Sequence, residues 1–297
     1  MHSTSPLFSI VIPTYNRAHL IGKTIESILK QVFADFEILV VDDGSKDNTE
    51  EVVNTFTDKR IQYYKKQNAE RGAARNYGSN RAKGLYVNFF DSDDLMYPNH
   101  LLVASKLIAS VGNPEFFHLA YDYQLGDGSV TNQVNNFDES TQRAILFNNR
   151  LSCNGVFLRK EIATQFPFEE NRVLASSEDW ELWIRLTSRY KLYFSNEITS
   201  SVINHDQRSL FTIAAGKVIA RDLLLIAKLK ADPIVMRAYG KSVNKYIAER
   251  YTFFMLCLSE QKQRVEVWKW GMRAFQVHPL IIVSKRFMAS IKNSILP

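Results

Sequence analysis

Three short segments of this 297-residue chain carry side chains suited to chemistry: Pro13-Thr14-Tyr15-Asn16, Asp42-Asp43-Gly44-Ser45 and Asp91-Ser92-Asp93-Asp94. In Asp91-x-Asp93, two hard carboxylates stand one residue apart. Such a pair can hold Mg2+ or Mn2+ while substrate phosphates complete the shell. An isolated D-x-D is more often a plain turn. Here it follows a six-residue apolar run and has a second acidic strand end for a neighbour, which favours the metal. Glycine cradles for phosphate are absent. The turn from Pro13 to Arg17 has no glycine, so the dinucleotide fingerprint fails, and the chain has no Walker A loop.

The elements that must position these groups alternate. Apolar runs at 8–12, 36–41, 61–64 and 85–90 read as strands, and helical spacing follows at 20–29, 47–56, 73–83 and 101–111. Gly84 reads as the glycine closing the third helix, and Asp94 as a cap for the helix beginning near Tyr97-Pro98. The pattern predicts an α/β fold with an open, mainly parallel sheet covered on both faces. Ligands in such sheets sit beyond the carboxyl ends of the strands, so four carboxylates share one rim. Further on, 116–123 and 129–133 read as a hairpin around Gly126-Asp127-Gly128. The region beyond Phe211 is helical in pattern, broken at Asp232-Pro233.

Composition bounds the class. With 45% hydrophobic and 23% charged residues the chain is globular in type. Cys153 and Cys257 make no disulfide framework and no C-x-x-C pair, which suits a reducing cytoplasm. Met1 to Pro6 lacks the features of a secretory signal, and no apolar run approaches the roughly 18 to 20 residues of a membrane span. Fifteen of the 37 Lys and Arg residues, but only five of the 31 acids, lie from Leu210 onward. Such a tail suits an anionic surface or phosphorylated substrate, or is a solvated helical face.

The sequence resembles the family 2 glycosyltransferases of the GT-A fold. The resemblance rests on FSIVIPTYNR at 8–17, FEILVVDDGS at 36–45, AARNYG at 73–78 with GLYV at 84–87, FDSDD at 90–94 and EDWELWIR at 178–185, in matching order and spacing. It covers about residues 7–205 and implies a GT-A domain at 1–209, with a nucleotide-sugar half (1–112) and an acceptor half (113–209), followed by a basic helical region at 210–297. It also implies roles. Pro13, Thr14 and Tyr15 would line the nucleotide pocket with Ser92, and Asp43 would accept the uracil N3–H, favouring UDP. Arg75 or Arg71 would face the diphosphate. Asp91 would reach ribose or metal-bound water, Asp93 would bind the metal directly, and His205 would stand near the metal, with Arg208 as a phosphate clamp. Asp179 would be the base, with Glu178 orienting it or binding acceptor. Trp180 would pack on sugar or in the core. Asn154 or Cys153 would face the sugar or serve a turn.

The implied activity is inverting, Mn2+- or Mg2+-dependent transfer from a nucleoside diphosphate sugar to a saccharide or lipid-linked saccharide in surface-glycan synthesis. Gln261-Lys262-Gln263-Arg264-Val265 lacks the Trp of the processive Q-x-x-R-W motif, so single additions are expected. The amphipathic, basic tail with Trp268 and Trp270 suits contact with the inner face of the cytoplasmic membrane, its alternative being a helical cap or a homodimer contact. No nucleic-acid partner is expected. Two other classes compete: a sugar-nucleotide nucleotidyltransferase, which would carry a glycine-rich basic first loop, and a non-catalytic binding module.

Overall fold

The computed structural model describes residues 5–204 and 215–295. Two compact units divide the chain, Met1–Arg208 and Ser209–Pro297.

The first unit opens with alternating elements: β1 (Phe8–Thr14), α1 (Ile21–Leu29), β2 (Phe36–Asp42), α2 (Thr49–Asn54), β3 (Ile61–Lys65), α3 (Glu70–Arg81) and β4 (Tyr86–Phe89). It continues through β5 (Leu95–Met96), α4 (His100–Val111), β6 (Phe116–Leu125), β7 (Val130–Val134), α5 (Thr141–Ala144), β8 (Val156–Arg159), α6 (Lys160–Gln165), α7 (Glu178–Thr187) and β9 (Tyr193–Asn204). Among the described residues these strands form one sheet in the order β3-β2-β1-β4-β8-β6-β9-β5, with β7 paired to β6. The pairs β1–β2, β2–β3 and β1–β4 are parallel, while β8 runs against both its neighbours. Every residue of β1 and β2 is buried. Continuous apolar runs, rather than alternation, are what a strand covered on both faces requires. Strand order reverses at β1, since β2 and β3 lie to one side and β4 to the other. The ligand crevice of an open sheet forms at such a point.

Local chemistry moves several boundaries. Helix α1 starts at Ile21, four residues after Arg17, because the preceding loop is tied elsewhere. Asn16 adopts φ 53°. Its N–H donates to Ser45 Oγ at 2.8 Å, the Arg17 N–H to Thr49 Oγ1 at 3.0 Å, and the Ala18 N–H to Asp47 Oδ2 at 3.1 Å. Gly84 does not cap α3, whose cap residue is Ala82. A Cβ at Gly84 would lie 2.6 Å from the Ser9 nitrogen. The residue is glycine so that the backbone can pass β1, and its N–H donates to Ser9 Oγ at 2.8 Å. Asp94 likewise does not cap α4, whose cap residue is Asn99.

The second unit is helical: α8 (Ala215–Ala231), α9 (Pro233–Tyr239), α10 (Lys241–Glu260), α11 (Arg264–Val277), a 3-10 turn at Pro279–Val283 and α12 (Lys285–Ile295). The break at Asp232-Pro233 is a cap. Asp232 Oδ1 accepts the N–H groups of Ile234 and Val235 at 2.9 and 3.2 Å, and proline takes the first helical position. Phe254, Met255, Leu258, Val267 and Trp270 form the core. Asp222, 1% exposed, pairs with Arg250 of α10. Among the described residues no helix is long and apolar enough to cross a membrane.

Candidate active site

The carboxyl ends of β1, β2 and β4 bring the motif segments to one rim. Thr14 stands opposite Asp42 in the β1–β2 register, and the Asp43 N–H donates to the Thr14 carbonyl at 2.8 Å. The two adjacent aspartates do different work. Asp42 is fully buried and closes the turn, accepting the Ser45 N–H at 2.7 Å and the Tyr63 hydroxyl. Asp43 points its carboxylate at the chain entering α3. Its Oδ1 accepts Lys66 Nζ at 2.6 Å, and the Ala69 N–H lies 2.9 and 3.1 Å from its two oxygens. A carboxylate accepts about four hydrogen bonds, so these two donors leave capacity for a third. Nothing nearby in sequence marks Lys66 for this place. Beside Asp43, Pro13 and Thr14 are buried and Tyr15 is 41% exposed.

The four residues after Phe90 divide in the same way. Asp94 is 1% exposed and structural: Oδ2 accepts Asn154 Nδ2 at 2.7 Å and Oδ1 accepts the Ile203 N–H at 2.8 Å. Asn154 in turn accepts the Asp91 N–H at 2.9 Å. Asn154 is therefore the clasp that shapes the D-x-D turn. Ser92 is buried within it. Asp91 and Asp93 keep part of their side chains in solvent, 31% and 17%. Asp91 Oδ1 lies 2.8 Å from Arg75 Nη2, and Asp93 Oδ2 lies 3.5 Å from Arg17 Nε.

Arg75 is the hub. It is 1% exposed, donates to Glu178 Oε1 at 3.0 Å as well as to Asp91, and lies over the Phe168 ring at 5.1 Å. Burial opposes its charge, but the surrounding acids hold its pKa above the ordinary arginine value. Arg71, one turn earlier and exposed, reaches Glu178 Oε1 at 3.7 Å. Helix α3 can bring Arg75 so deep because its buried face is made of Gly72, Ala73, Ala74, Gly78 and Ser79. A Cβ on Gly78 would lie 2.3 Å from a Val11 methyl.

Glu178 and Asp179 open α7. Glu178 is buried in the pair with Arg75. Asp179 is half-buried, and protein around its carboxyl strips away much of its water. Its Oδ1 accepts the Trp180 N–H at 2.7 Å, and its Oδ2 accepts Asn149 Nδ2 at 3.1 Å. Burial pushes the Asp179 pKa up to about 6. The Glu178 charge adds to the rise, while Arg75 and the two hydrogen bonds oppose it. Trp180 donates its indole N–H to the Ile145 carbonyl at 2.6 Å, and Trp183 and Leu186 are core. Buried Cys153 shares this neighbourhood, and burial raises its thiol pKa. Asn149 carries no sequence signal, being one polar residue of an Asn148-Asn149-Arg150 run 30 positions before its partner.

Asp91, Glu178, Asp179, Arg71 and Arg75 thus form one electrostatic cluster. Asp93 lies in the same turn as Asp91, and Asp43 joins the rim through Thr14. His205 and Arg208 fall outside the described residues. Among the described residues no three His, Cys, Asp or Glu side chains gather as a metal cage. Two carboxylates on one turn nevertheless match Mg2+ or Mn2+, which take one or two carboxylates and complete their shells with water and substrate phosphate. Asp91 and Asp93 are the residues that fit.

Comparison with known proteins agrees with this layout. The family model "Glycosyl transferase family 2" matches residues 9–158. "Glycosyltransferase GlyG" of Streptococcus pneumoniae is 34% identical over 287 residues, taking in 88% of this chain and 90% of its own. The Escherichia coli UDP-Glc:alpha-D-GlcNAc-diphosphoundecaprenol beta-1,3-glucosyltransferase WfgD is 32% identical, over 61% of this chain and 69% of its own. A match to an uncharacterized glycosyltransferase of Rickettsia bellii, 33% identical, spans 61% of this chain but only 26% of that protein's length. Among solved structures, Staphylococcus aureus TarS 1-349 with UDP-GlcNAc superposes with a TM-score of 0.73 at 19% identity, covering 97% and 89% of the two chains. The mannosyltransferase PcManGT of Pyrobaculum calidifontis, in complex with GDP-Man and Mn2+, gives 0.61 at 15% identity, covering 98% and 85%. At these identities the superpositions speak for the GT-A fold.

Proposed function

This chain belongs to glycosyl transferase family 2, and from that membership we propose that it moves one sugar per turnover from a UDP-sugar, with inversion, to a hydroxyl of a saccharide or lipid-linked saccharide. The surroundings of Asp179 carry the reading. Inverting transfer is an in-line displacement at the anomeric carbon, through a transition state of oxocarbenium character. The attacking hydroxyl must lose its proton as it bonds. A general base works best when its pKa lies near the working pH. Asp179, at about 6, is ionised at neutral pH yet more basic than an ordinary aspartate. The Trp180 N–H and Asn149 fix both its oxygens, so the carboxylate need not reorganise to accept the proton.

On the donor side, Tyr15 offers an exposed ring to the base, and Asp43 has room to accept the uracil N3–H beside Lys66. Arg75 is locked between Asp91 and Glu178 and serves as a fixed positive charge under the diphosphate. Arg71, the more exposed of the two, adds a second cation there. A divalent ion held by Asp91 and Asp93 would offset charge on the leaving diphosphate. The E. coli relative, with a UDP-Glc donor and a diphosphoundecaprenol-linked acceptor, supports this donor class and a lipid-linked acceptor.

The test is UDP release from a panel of UDP-sugars with Mn2+, comparing the native chain with Asp179→Asn and Asp93→Ala. Metal-dependent release that both substitutions abolish is expected. Pyrophosphate exchange would instead indicate a nucleotidyltransferase, and no turnover with any donor would indicate a binding module.

A further inference from the structure

Helix α11 is apolar on two opposite sides. Its inner side sets Val267, Trp270, Gly271 and Ala274 in the helical core. On its outer side Val265, Trp268, Met272 and Phe275 are 68, 51, 60 and 45% exposed. At 100° per residue those four fall within an arc of about 80°, so they form one stripe. The 3-10 turn that follows packs on α11 and adds Leu280 and Val283, 72 and 78% exposed. A grouped apolar surface left in water marks an interaction site.

The segment that carries the stripe is mostly basic. From Lys262 to the end the sequence has seven Lys and Arg residues against a single acid, Glu266. On α11, Lys269 pairs with Glu266 at 2.6 Å and Arg273 lies over the Trp270 ring, whereas exposed Lys285 and Lys292 on α12 have no acid near them in sequence. We propose that this face docks on an anionic lipid bilayer, with the apolar side chains entering the headgroup–acyl boundary and the cations meeting acidic headgroups. A second copy of the chain is the poorer occupant, because a two-fold contact would set the same cations against each other. The inference gives the lipid-linked acceptor reading its membrane surface and rests on that reading for its purpose. Vesicle binding is measured without sugar transfer, so either can fail while the other stands.

The test is flotation of the full chain with vesicles of phosphatidylcholine alone or mixed with phosphatidylglycerol. Binding to the anionic vesicles only is expected. It should weaken at least about tenfold in a Trp268→Ser, Met272→Ser, Phe275→Ser variant and in a Lys285→Glu, Lys292→Glu variant, both checked for native circular dichroism and donor hydrolysis. The charge variant keeps the test decisive should the apolar one misfold. Three outcomes overturn the proposal: no flotation of the native chain, flotation indifferent to both variants, or a native dimer that the apolar variant turns into a monomer without change in vesicle binding.

Discussion

Arg75 and Glu178 are 103 residues apart in sequence and meet at 3.0 Å, both almost wholly out of solvent. The pair ties α3 to the first turn of α7 and sets a fixed charge beside Asp179. Removing one partner of such a pair strands the other in a poor solvent for charge, which typically costs about 3 to 5 kcal/mol. Arg75→Met should lower stability by that order in urea titration. The double variant Arg75→Met, Glu178→Leu should recover much of the loss yet stay inactive, because apolar side chains replace the pair's packing but not its charge.

The raised pKa of Asp179 predicts a pH profile. As a base it must be ionised, so kcat/KM for transfer should rise through about pH 6 and level off above it. Asn149→Ala removes a hydrogen bond that favours the ionised form, and should move that limb to higher pH. Glu178→Gln removes a repelling charge and should move it to lower pH. Shifts of the same sign in both variants would contradict the assignment.

The same pKa makes a stability claim. Asp179 in the folded chain holds its proton up to about pH 6, whereas in the unfolded chain it releases it near 3.9. The unfolded state therefore binds fewer protons between those values, and this group's contribution to stability falls from about pH 4 to pH 6 and stays low above. Asp179→Asn should be more stable than the native chain at pH 8, by roughly 1 to 3 kcal/mol, with little gain at pH 4. It should also have lost transfer activity. Thermal melts at the two pH values give the comparison.

Neighbouring aspartates should behave in opposite ways. Asp93→Ala, at a partly exposed carboxylate, should leave the melting temperature near native while abolishing metal-dependent UDP release. Asp94→Ala strands the buried Asn154 amide and the partly buried Ile203 N–H, and should cost about 1 to 3 kcal/mol for the first and less for the second. A stable Asp94→Ala protein would show that the clasp on the D-x-D turn does not exist in solution.

Asp43 should act on donor binding. Loss of a hydrogen bond to a charged acceptor is worth about 1.5 to 3 kcal/mol. Asp43→Ala should therefore raise KM for the UDP-sugar roughly 10- to 100-fold, with a smaller effect on kcat. An equal fall in kcat and kcat/KM would place Asp43 in the chemical step instead.

The sequence makes β1, β2 and the β6–β7 hairpin plain, because buried strands and a Gly-Asp-Gly turn leave strong local patterns. It conceals the start of α3, since that helix packs small and polar side chains rather than an apolar stripe. It conceals β9 as well, whose YFSNEITSSVIN is buried only at Thr199–Val202 and largely through hydroxyl residues. The acids of the rim were legible because they sit at strand ends. Lys66, Asn149 and the Arg17–Asp93 approach were not, because each is an ordinary polar residue until topology supplies its partner. The two clasps, Asp42 and Asp94, show the limit of reading a motif as a unit: one carboxylate in each pair is spent on shaping the turn that presents the other.

The sheet's strand order also bears on how such a chain can be cut and reused. Strand β4 is bonded to β1 on one edge and to β8 on the other, and among the described residues β5, which precedes residue 112, pairs with β9. A fragment ending at Gly112 would keep the donor-side motifs but bare a sticky β4 edge and orphan β5. Split-protein complementation and domain grafting at that point should yield insoluble halves, and shuffling between relatives should succeed only when the whole sheet is inherited together.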